Sequence, residues 1–249
     1  MHSTRHKSAY GWRAKLGLIV PPTNTVNEAE WARMMPDGVS FHTVRMPLHL
    51  ECTSTEGRRA LVADIVARVR ELVQARVDVV AYACTAGSMI NPLDALPREV
   101  EAATGVALVT TAAAIVHALR HLGARKLSIA TPYHDALNQH EVAFLAANGF
   151  ETLRIAGLGI GANGPVDFPL IAETSLDAVA AHARAAFVGG SDALLITCTD
   201  FPTLPLLPRL EHDLAVPVVT SNQATLWAAL RAAGITDHLP QAGHLFQRG

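Results

Sequence analysis

The chain has 249 residues, of which half are hydrophobic and 17% are charged. This is the composition of a globular protein, and the length suffices for one large domain or two small ones. Lys and Arg number 20 against 22 Asp and Glu, so the net charge is −2. Nucleic acid and a membrane surface would both require a basic face, which this charge balance does not suggest, and we therefore expect neither as a partner.

The chain shows no signal for export or membrane insertion. The segment 1–12 is basic but lacks the apolar core of a secretory signal, and no run of about 18 apolar residues occurs. The three cysteines are far apart in sequence, which argues against a disulfide framework. We therefore predict a cytoplasmic protein with reduced thiols.

Eight short apolar runs predict strands, and longer amphipathic stretches between them predict helices. The predicted strands are Leu16–Val20, Val39–Met46, Val77–Tyr82, Val106–Val109, Leu127–Thr131, Glu151–Ile155, Ala193–Ile196 and Pro217–Val219. The predicted helices are Glu56–Gln74, Glu99–Ala103, Ala112–Leu122, Ala136–Asn148, Leu170–Phe187, Leu204–Leu214 and Asn222–Ala233. This alternation predicts an α/β fold with parallel sheets and right-handed crossovers.

Three sequence blocks recur in the same order, at offsets of 111, 110 and 114 residues. The paired blocks are Lys15–Pro22 with Lys126–Tyr133, Gly105–Ala114 with Ala215–Ala224, and Ala83–Thr85 with Thr197–Thr199. The repeat predicts two similar, pseudo-two-fold related lobes, each with a four-stranded parallel sheet flanked by helices. We assign 14–110 together with 220–249 to the N-terminal lobe, and 111–219 to the C-terminal lobe.

Four loops directly follow predicted strands, at residues 21–25, 84–88, 131–135 and 198–201. Ligands of open parallel sheets bind beyond the carboxyl ends of the strands. If the two lobes face each other, these loops line a single cleft, and we expect the active site there.

Cys84 and Cys198 occupy matching places in the two repeats, where a strand ends and a helix is expected to begin. Free N–H groups and the dipole at a helix N-terminus lower the pKa of a thiol. The alternative is that each cysteine is a small buried hydrophobe, and the repeat-equivalent positions favour the functional interpretation. No metal-ligand spacing accompanies either thiol. Cys52 has no repeat partner, and we predict that it is not catalytic.

Two thiols that face one substrate from opposite sides permit two chemistries. One thiolate can remove an α-proton while the other thiol protonates the opposite face, which racemises the carbon. Alternatively, one thiolate adds to an activated alkene while the other handles a proton. Neither route needs a cofactor, and the sequence contains no glycine-rich nucleotide-binding motif.

Both chemistries act beside a carboxylate, so the site must bind a small carboxylate substrate. Backbone N–H groups in polar loops suit this task. The candidate side chains are Asn24, Thr85, Tyr133, Asn163 and Thr199. Asn24 and the two threonines could instead cap helices. The phenol of Tyr133 could bind a carboxylate or have only a structural role. The loop of Asn163 could be a simple turn or a lid.

The sequence resembles the aspartate/glutamate racemase superfamily, and within it the branch of maleate cis–trans isomerases and arylmalonate decarboxylases. The resemblance extends from Gly17 to about Phe246. The segments that carry it are Gly17–Thr25, Phe41–Met46, Tyr82–Thr85, Thr131–Tyr133, the Asn163 loop, Cys198 with its neighbours, and Ala242–Phe246.

The resemblance to maleate isomerases implies a role for each matching residue. Cys84 would be the nucleophile that adds to an alkene carbon of maleate, and Cys198 would be the general acid and base opposite. Asn24, Tyr133 and Asn163 would bind the carboxylates. Family members are commonly oligomeric, so we also expect a homo-oligomer.

Three other functions stay open. Arylmalonate decarboxylases have Gly in place of the first cysteine, and the presence of both cysteines here argues against decarboxylation. The segment 220–227 resembles racemase-like proteins of ectoine utilisation, which keeps racemisation of an amino acid or related acid as the main alternative. The third possibility is a non-catalytic protein that binds small acids.

Overall fold

The computed structural model describes residues 5–51 and 54–247 and contains two four-stranded parallel sheets. Cys52 therefore lies outside the described residues. The strand orders are β2-β1-β3-β4 and β6-β5-β7-β8, which is the same order twice. The strands are β1 Ala14–Val20, β2 Val39–Arg45, β3 Val79–Tyr82, β4 Leu108–Thr110, β5 Lys126–Tyr133, β6 Glu151–Ile160, β7 Ala193–Ile196 and β8 Val218–Thr220. The predicted fold class and all eight strands are confirmed.

Ten α-helices lie in the described part of the chain, and four 3-10 turns complete it. The helices are α1 Asn27–Met34, α2 Thr55–Val73, α3 Thr85–Ser88, α4 Ala95–Thr104, α5 Thr111–His121, α6 Asp135–Ala147, α7 Pro169–Ala172, α8 Leu176–Ala186, α9 Leu207–Leu214 and α10 Ser221–Ala232. The 3-10 turns are Pro165–Asp167, Leu204–Leu206, Pro240–Ala242 and His244–Phe246. No helix among these is long and apolar enough to cross a membrane.

The structure corrects the predicted helices in two places. The stretch Leu170–Phe187, predicted as one helix, is divided into α7 and α8. Ser175 starts the second helix because its hydroxyl accepts the backbone N–H of Ala178, as an N-cap does. Helices α1 and α3 were not predicted, since one is mostly polar and the other spans a single turn.

A continuous hydrophobic core extends through both sheets. It includes Leu16 and Val79 of the first sheet and Leu127 and Leu195 of the second, all at most 1% exposed. A second cluster fills the space between the first sheet and helices α2 and α4. Both faces of the central strands β1, β3, β5 and β7 are thus covered, which explains their mostly apolar sequences. The edge strands β2 and β6 expose polar residues.

Helices α5 and α10 pack against each other between the sheets. Helix α10 follows β8 of the second sheet but also contacts β3 and β4 of the first. The polypeptide after β8 therefore returns to the N-terminal part of the molecule. The lobe boundaries given above stay a prediction.

Candidate active site

A cavity of about 400 Å³ lies where the loops of the two sheets meet. All four loops that follow predicted strands contribute to its lining, through residues such as Asn24, Cys84, Tyr133 and Cys198. The topology explains this convergence, because each loop continues the carboxyl end of a parallel strand. The two thiols therefore share a single cavity.

The thiol of Cys84 lies at the end of β3 and immediately before α3. It accepts hydrogen bonds from the backbone N–H of Gly87 and from the hydroxyl of Tyr82. A Cβ atom at position 87 would collide with the Tyr82 Oη and lie 3.1 Å from the Cys84 Sγ. A glycine at this position is therefore required for the close approach of both donors to the sulfur.

The thiol of Cys198 has a matching set of donors. The hydroxyl of Tyr133 donates to it, and the backbone N–H of Asp200 lies 3.4 Å from the Sγ. Each thiol thus receives one phenol and one backbone N–H, supplied in both cases by residues around a strand end. The two tyrosines are not at equivalent places in the repeat, since Tyr133 aligns with Pro22 and Tyr82 with Ile196.

The backbone of Cys198 adopts a φ of 93°, a region that side-chain-bearing residues rarely occupy. The Ser221 hydroxyl accepts the Cys198 N–H at 3.0 Å and helps to hold this conformation. Such conformations cost about 1–3 kcal/mol and concentrate at functional sites. The strained turn directs the Cys198 thiol toward the shared cavity, which it lines.

Burial raises the pKa of both thiols. The pKa of Cys84 lies above its ordinary value and that of Cys198 is raised to about 12, although the N–H and phenol donors act in the opposite direction. The sequence-based expectation of lowered thiol pKa values was wrong, because desolvation of the thiolate outweighs the donors. In addition, no helix begins directly after Cys198, where the next helical residue is Leu204.

Asn24, Thr85 and Thr199 line the cavity, but much of their hydrogen-bonding capacity is used within the protein. The Thr199 hydroxyl donates to the Ala83 carbonyl and accepts from the Asn24 Nδ2, both at 3.0 Å. The Asn24 Oδ1 accepts the backbone N–H groups of Val26 and Asn27, so this residue also holds the backbone that leads into α1. These bonds tie the Cys198 turn to the strand end that carries Cys84.

Thr85 takes part in a second link between the two turns that carry the thiols. Its hydroxyl lies 2.9 Å from the hydroxyl of Ser221, which also accepts the Cys198 N–H. The two catalytic candidates are therefore connected through a short chain of hydroxyl groups. Substrate binding by Thr85, Thr199 and Asn24 stays a prediction.

Asn163 lies apart from the other predicted site residues. It is exposed, and its Nδ2 donates to the Asp167 Oδ2 at 3.1 Å. Phe168 and Ile171 of the same segment do line the cavity. The structure thus brings the segment to the site but leaves the Asn163 amide outside it.

Asp200 is a site residue that the sequence analysis did not identify. Its Oδ1 accepts the N–H groups of Thr25 and Val26, while its Oδ2 is buried without a hydrogen-bond partner among the described residues. Burial raises the pKa of this carboxyl to about 6. A carboxylate in the cavity wall, two residues from Cys198, can accept a proton near neutral pH.

Tyr82 and Ser221 were also missed. Tyr82 precedes Cys84 by two residues, and alternate residues of an extended chain share one side, so this spacing was an available signal. Nothing in the sequence indicated Ser221, which reaches Cys198 from 23 residues away. Within 5–51 and 54–247, no group of three or more His, Cys, Asp or Glu side chains could hold a metal ion.

Comparisons with known proteins agree with this architecture. A family model described as arylmalonate decarboxylase matches residues 16–246. Arylmalonate decarboxylase of Bordetella bronchiseptica is 32% identical, with 88% of this chain and 90% of that protein covered. Maleate isomerase of Nocardia farcinica is 31% identical, with 94% of this chain and 96% of that protein covered.

Solved structures give the same result. One match is a serine mutant of the Nocardia farcinica maleate cis-trans isomerase with a covalently bound succinylcysteine intermediate. The TM-score is 0.83 and the sequence identity is 27%, and the match covers 95% of this chain and 99% of that chain. A doubly mutated arylmalonate decarboxylase in the liganded form matches with a TM-score of 0.81 and 30% identity, over 95% and 100% of the two chains. The resemblance inferred from the sequence is confirmed, and the chain belongs to the arylmalonate decarboxylase family.

Proposed function

We propose that the chain is a cofactor-independent isomerase that converts a cis-dicarboxylate such as maleate to its trans isomer through a covalent adduct on Cys84. The presence of Cys84 and a second thiol, Cys198, in the lining of one cavity carries this proposal. Relatives named maleate isomerase, one of them with a bound succinylcysteine intermediate, support it.

The reaction begins when the Cys84 thiolate adds to one alkene carbon. The C–S bond forms, and the π electron pair moves to the neighbouring carbon, where the attached carboxylate delocalises it. The former double bond is now single and rotates. Return of the electron pair restores the alkene as the trans isomer and expels the thiolate, so the reaction is balanced without any oxidant or cofactor.

The protein must supply a thiolate although burial raises both thiol pKa values. Asp200 is the proposed proton acceptor, because it lines the same cavity and its pKa of about 6 leaves it ionised at neutral pH. Cys198 is the proposed acid and base that protonates and deprotonates the carbanion carbon. The phenol of Tyr82 stabilises the Cys84 thiolate by a charge-assisted hydrogen bond. The single hydroxyl proton of Tyr133 is donated to Cys198 until a substrate carboxylate accepts it instead.

The substrate carboxylates are proposed to bind Asn24, Thr85, Thr199 and the phenol of Tyr133, together with backbone N–H groups of the loops. The Tyr133 phenol stays protonated and remains a donor, because burial and the nearby Cys198 thiol raise its pKa well above the ordinary value. Asn163 joins the site only if its segment moves toward the cavity.

A two-thiol racemase is the second candidate. The matching donors around Cys84 and Cys198 favour it, because racemisation needs equivalent proton transfer on both faces of one carbon. Arylmalonate decarboxylation is less favoured, since a second cysteine occupies the position that the decarboxylases leave as glycine.

Proton NMR with maleate, aspartate, glutamate, hydantoins and arylmalonates separates these functions in a single assay. We expect conversion of maleate to fumarate and, by mass spectrometry, a succinyl adduct on Cys84. Cys84→Ser should abolish turnover, whereas Cys52→Ser is the matched control and should retain it. An unmodified Cys84 during turnover would contradict the covalent route, and exchange of an α-proton with solvent would instead support racemisation.

We also propose that the protein works in the cytoplasm as a homo-oligomer. A covalent thiol mechanism requires reduced cysteines, which a reducing compartment maintains. Leu153 and Leu158 are exposed apolar side chains on the edge strand β6, and they support self-association. Light scattering of the purified protein measures the assembly state.

A further inference from the structure

Glu30 is a buried carboxyl group that the proposed reaction does not use. It lies on α1, is 4% exposed and does not line the cavity. Its Oε1 accepts the backbone N–H groups of Thr203 and Leu204, the latter at 2.7 Å, and its Oε2 accepts the Asn222 Nδ2 at 2.8 Å. Donors at both oxygens replace the water that a buried carboxylate has lost. These bonds join α1 to the segment after β7 and to α10.

The segment after β7 carries Cys198 and ends at the residues that Glu30 holds. It is neither helix nor strand until Leu204, so its backbone groups need partners from elsewhere in the protein. The Phe201 N–H donates to the Cys198 carbonyl at 3.3 Å and closes the turn. The N–H groups of Thr203 and Leu204, which follow the turn, donate to Glu30. Glu30 therefore fixes the exit of the Cys198 turn.

The chain that leads into α1 holds the same segment at a second place. The Asp200 Oδ1 accepts the N–H groups of Thr25 and of Val26, the N-cap residue of α1. Asp200 is the proposed proton acceptor and follows Cys198 by two residues. The position of α1 thus sets the position of both groups that exchange protons on this side of the cavity.

The contact with Asn222 reaches Cys198 from the opposite direction. Asn222 is the second residue of α10, and the hydroxyl of the first, Ser221, accepts the Cys198 N–H at 3.0 Å. The Asn27 Nδ2 donates to the Asn222 Oδ1 at 2.6 Å, and the Trp31 Nε1 donates to the Asn222 carbonyl at 3.1 Å. Three side chains of α1 therefore hold the first turn of α10, which supports the N–H of Cys198.

The backbone of Cys198 requires this support because its φ is 93°. A residue with a side chain keeps such a conformation only where the surrounding structure restrains it, since relaxation would release the strain. The restraints are the Ser221 hydroxyl before the turn and the contacts of Asp200 and Thr203 after it. Glu30 contacts the polypeptide on both sides of the strained residue.

We propose that Glu30 is a positioning residue for the Cys198 turn, and its effect on turnover rests on the proposed isomerase function. Glu30 keeps the Cys198 Sγ where the Asp200 N–H and, before substrate binds, the Tyr133 phenol donate to it. In this place the thiol exchanges a proton with the carbanion carbon. The donors of Cys84 belong to its own segment, so its thiol does not depend on Glu30.

The test replaces Glu30 by glutamine, which keeps the size of the side chain but offers one acceptor oxygen in place of two. Iodoacetamide alkylation of each thiol is measured by mass spectrometry without substrate. We expect alkylation of Cys198 to slow by about tenfold, because its thiolate loses charge-assisted hydrogen bonds. Alkylation of Cys84 should stay near the wild-type rate. With maleate, kcat should fall by at least about tenfold, and KM should change less.

Glu211→Gln is the matched control. Glu211 is 5% exposed, and its carboxyl group likewise accepts backbone N–H groups, from Val218 and His244. None of these three residues lines the cavity. The control should lose stability in urea unfolding as Glu30→Gln does, but keep the wild-type alkylation rates and kcat. Asn222→Ala removes one donor to Glu30 and should slow Cys198 alkylation by a smaller factor, which provides the test if Glu30→Gln does not fold.

Each outcome has one meaning. Alkylation of Cys198 that is unchanged or faster in Glu30→Gln overturns this inference and leaves the proposed function intact. An equal loss of kcat in Glu30→Gln and Glu211→Gln overturns it as well, because both carboxyl groups would then be merely structural. A wild-type protein that does not isomerise maleate overturns the proposed function, while the alkylation rates still test the role of Glu30.

Discussion

Replacement of Glu141 by glutamine should stabilise the protein increasingly as the pH rises. Glu141 is 1% exposed on α6. Its Oε2 accepts the Thr197 hydroxyl at 3.0 Å, and its Oε1 has no hydrogen-bond partner among the described residues. Burial raises its pKa from 4.5 to about 8, so the folded protein holds a neutral carboxylic acid at pH 7.

The magnitude follows from proton linkage. Between pH 4.5 and pH 8 the folded state retains a proton on Glu141 that the unfolded state has lost, so the free energy of unfolding falls as the pH rises. The slope is about 1.4 kcal/mol per pH unit, and the loss is about 3 kcal/mol at pH 7 and about 5 kcal/mol above pH 8. Glu141→Gln keeps the shape and the bond to Thr197 but removes the titration.

Urea unfolding of the wild type and Glu141→Gln at pH 5, 6, 7 and 8 measures this difference. We expect the variant to gain about 1.4 kcal/mol relative to the wild type for each pH unit. Glu173→Gln, at an exposed position, is the matched control and should show the pH dependence of the wild type. A difference between wild type and Glu141→Gln that does not vary with pH would refute the reasoning.

The remaining predictions concern the two thiol environments. Gly87→Ala should lower kcat for maleate by at least about tenfold, because the new Cβ displaces the Tyr82 hydroxyl from the Cys84 sulfur. Tyr82→Phe should slow alkylation of Cys84 by iodoacetamide at pH 8 by about tenfold, measured by mass spectrometry, because the thiolate loses a charge-assisted hydrogen bond. Cys198→Gly should be about 1 kcal/mol more stable than Cys198→Ala in urea unfolding, because only glycine adopts a φ of 93° without strain.

Each of these predictions has a control in the same chain. Gly189→Ala places a Cβ in open space and should retain activity. Tyr133→Phe removes the donor to the other thiol and should leave alkylation of Cys84 near the wild-type rate. At Cys84, where φ is −141°, the glycine variant should be no more stable than the alanine variant. Equal effects of each variant and its control would contradict the assigned contacts.

The strands and the repeat were predictable because they arise from local pattern. A parallel strand covered on both faces is mostly apolar, so β1, β3, β5 and β7 are visible as short runs rich in apolar residues. The two repeats each carry a cysteine directly after the matching strand, and this recurrence indicated that the two thiols share a cavity. Helix α1 was missed because its stability derives from tertiary contacts of Trp31 and Glu30 rather than from an apolar period.

The linear order of residues was enough to predict the fold class, the duplicated lobes and the pairing of Cys84 with Cys198, because periodicity and repetition are properties of the chain. The protonation of those thiols depended on the folded molecule, since burial by residues distant in sequence outweighs the nearby N–H donors. The same holds for Asp200 and Ser221, whose roles arise from contacts across 174 and 23 residues. Desolvation and long-range contact exist only in the folded chain, where loops of both sheets surround the cavity.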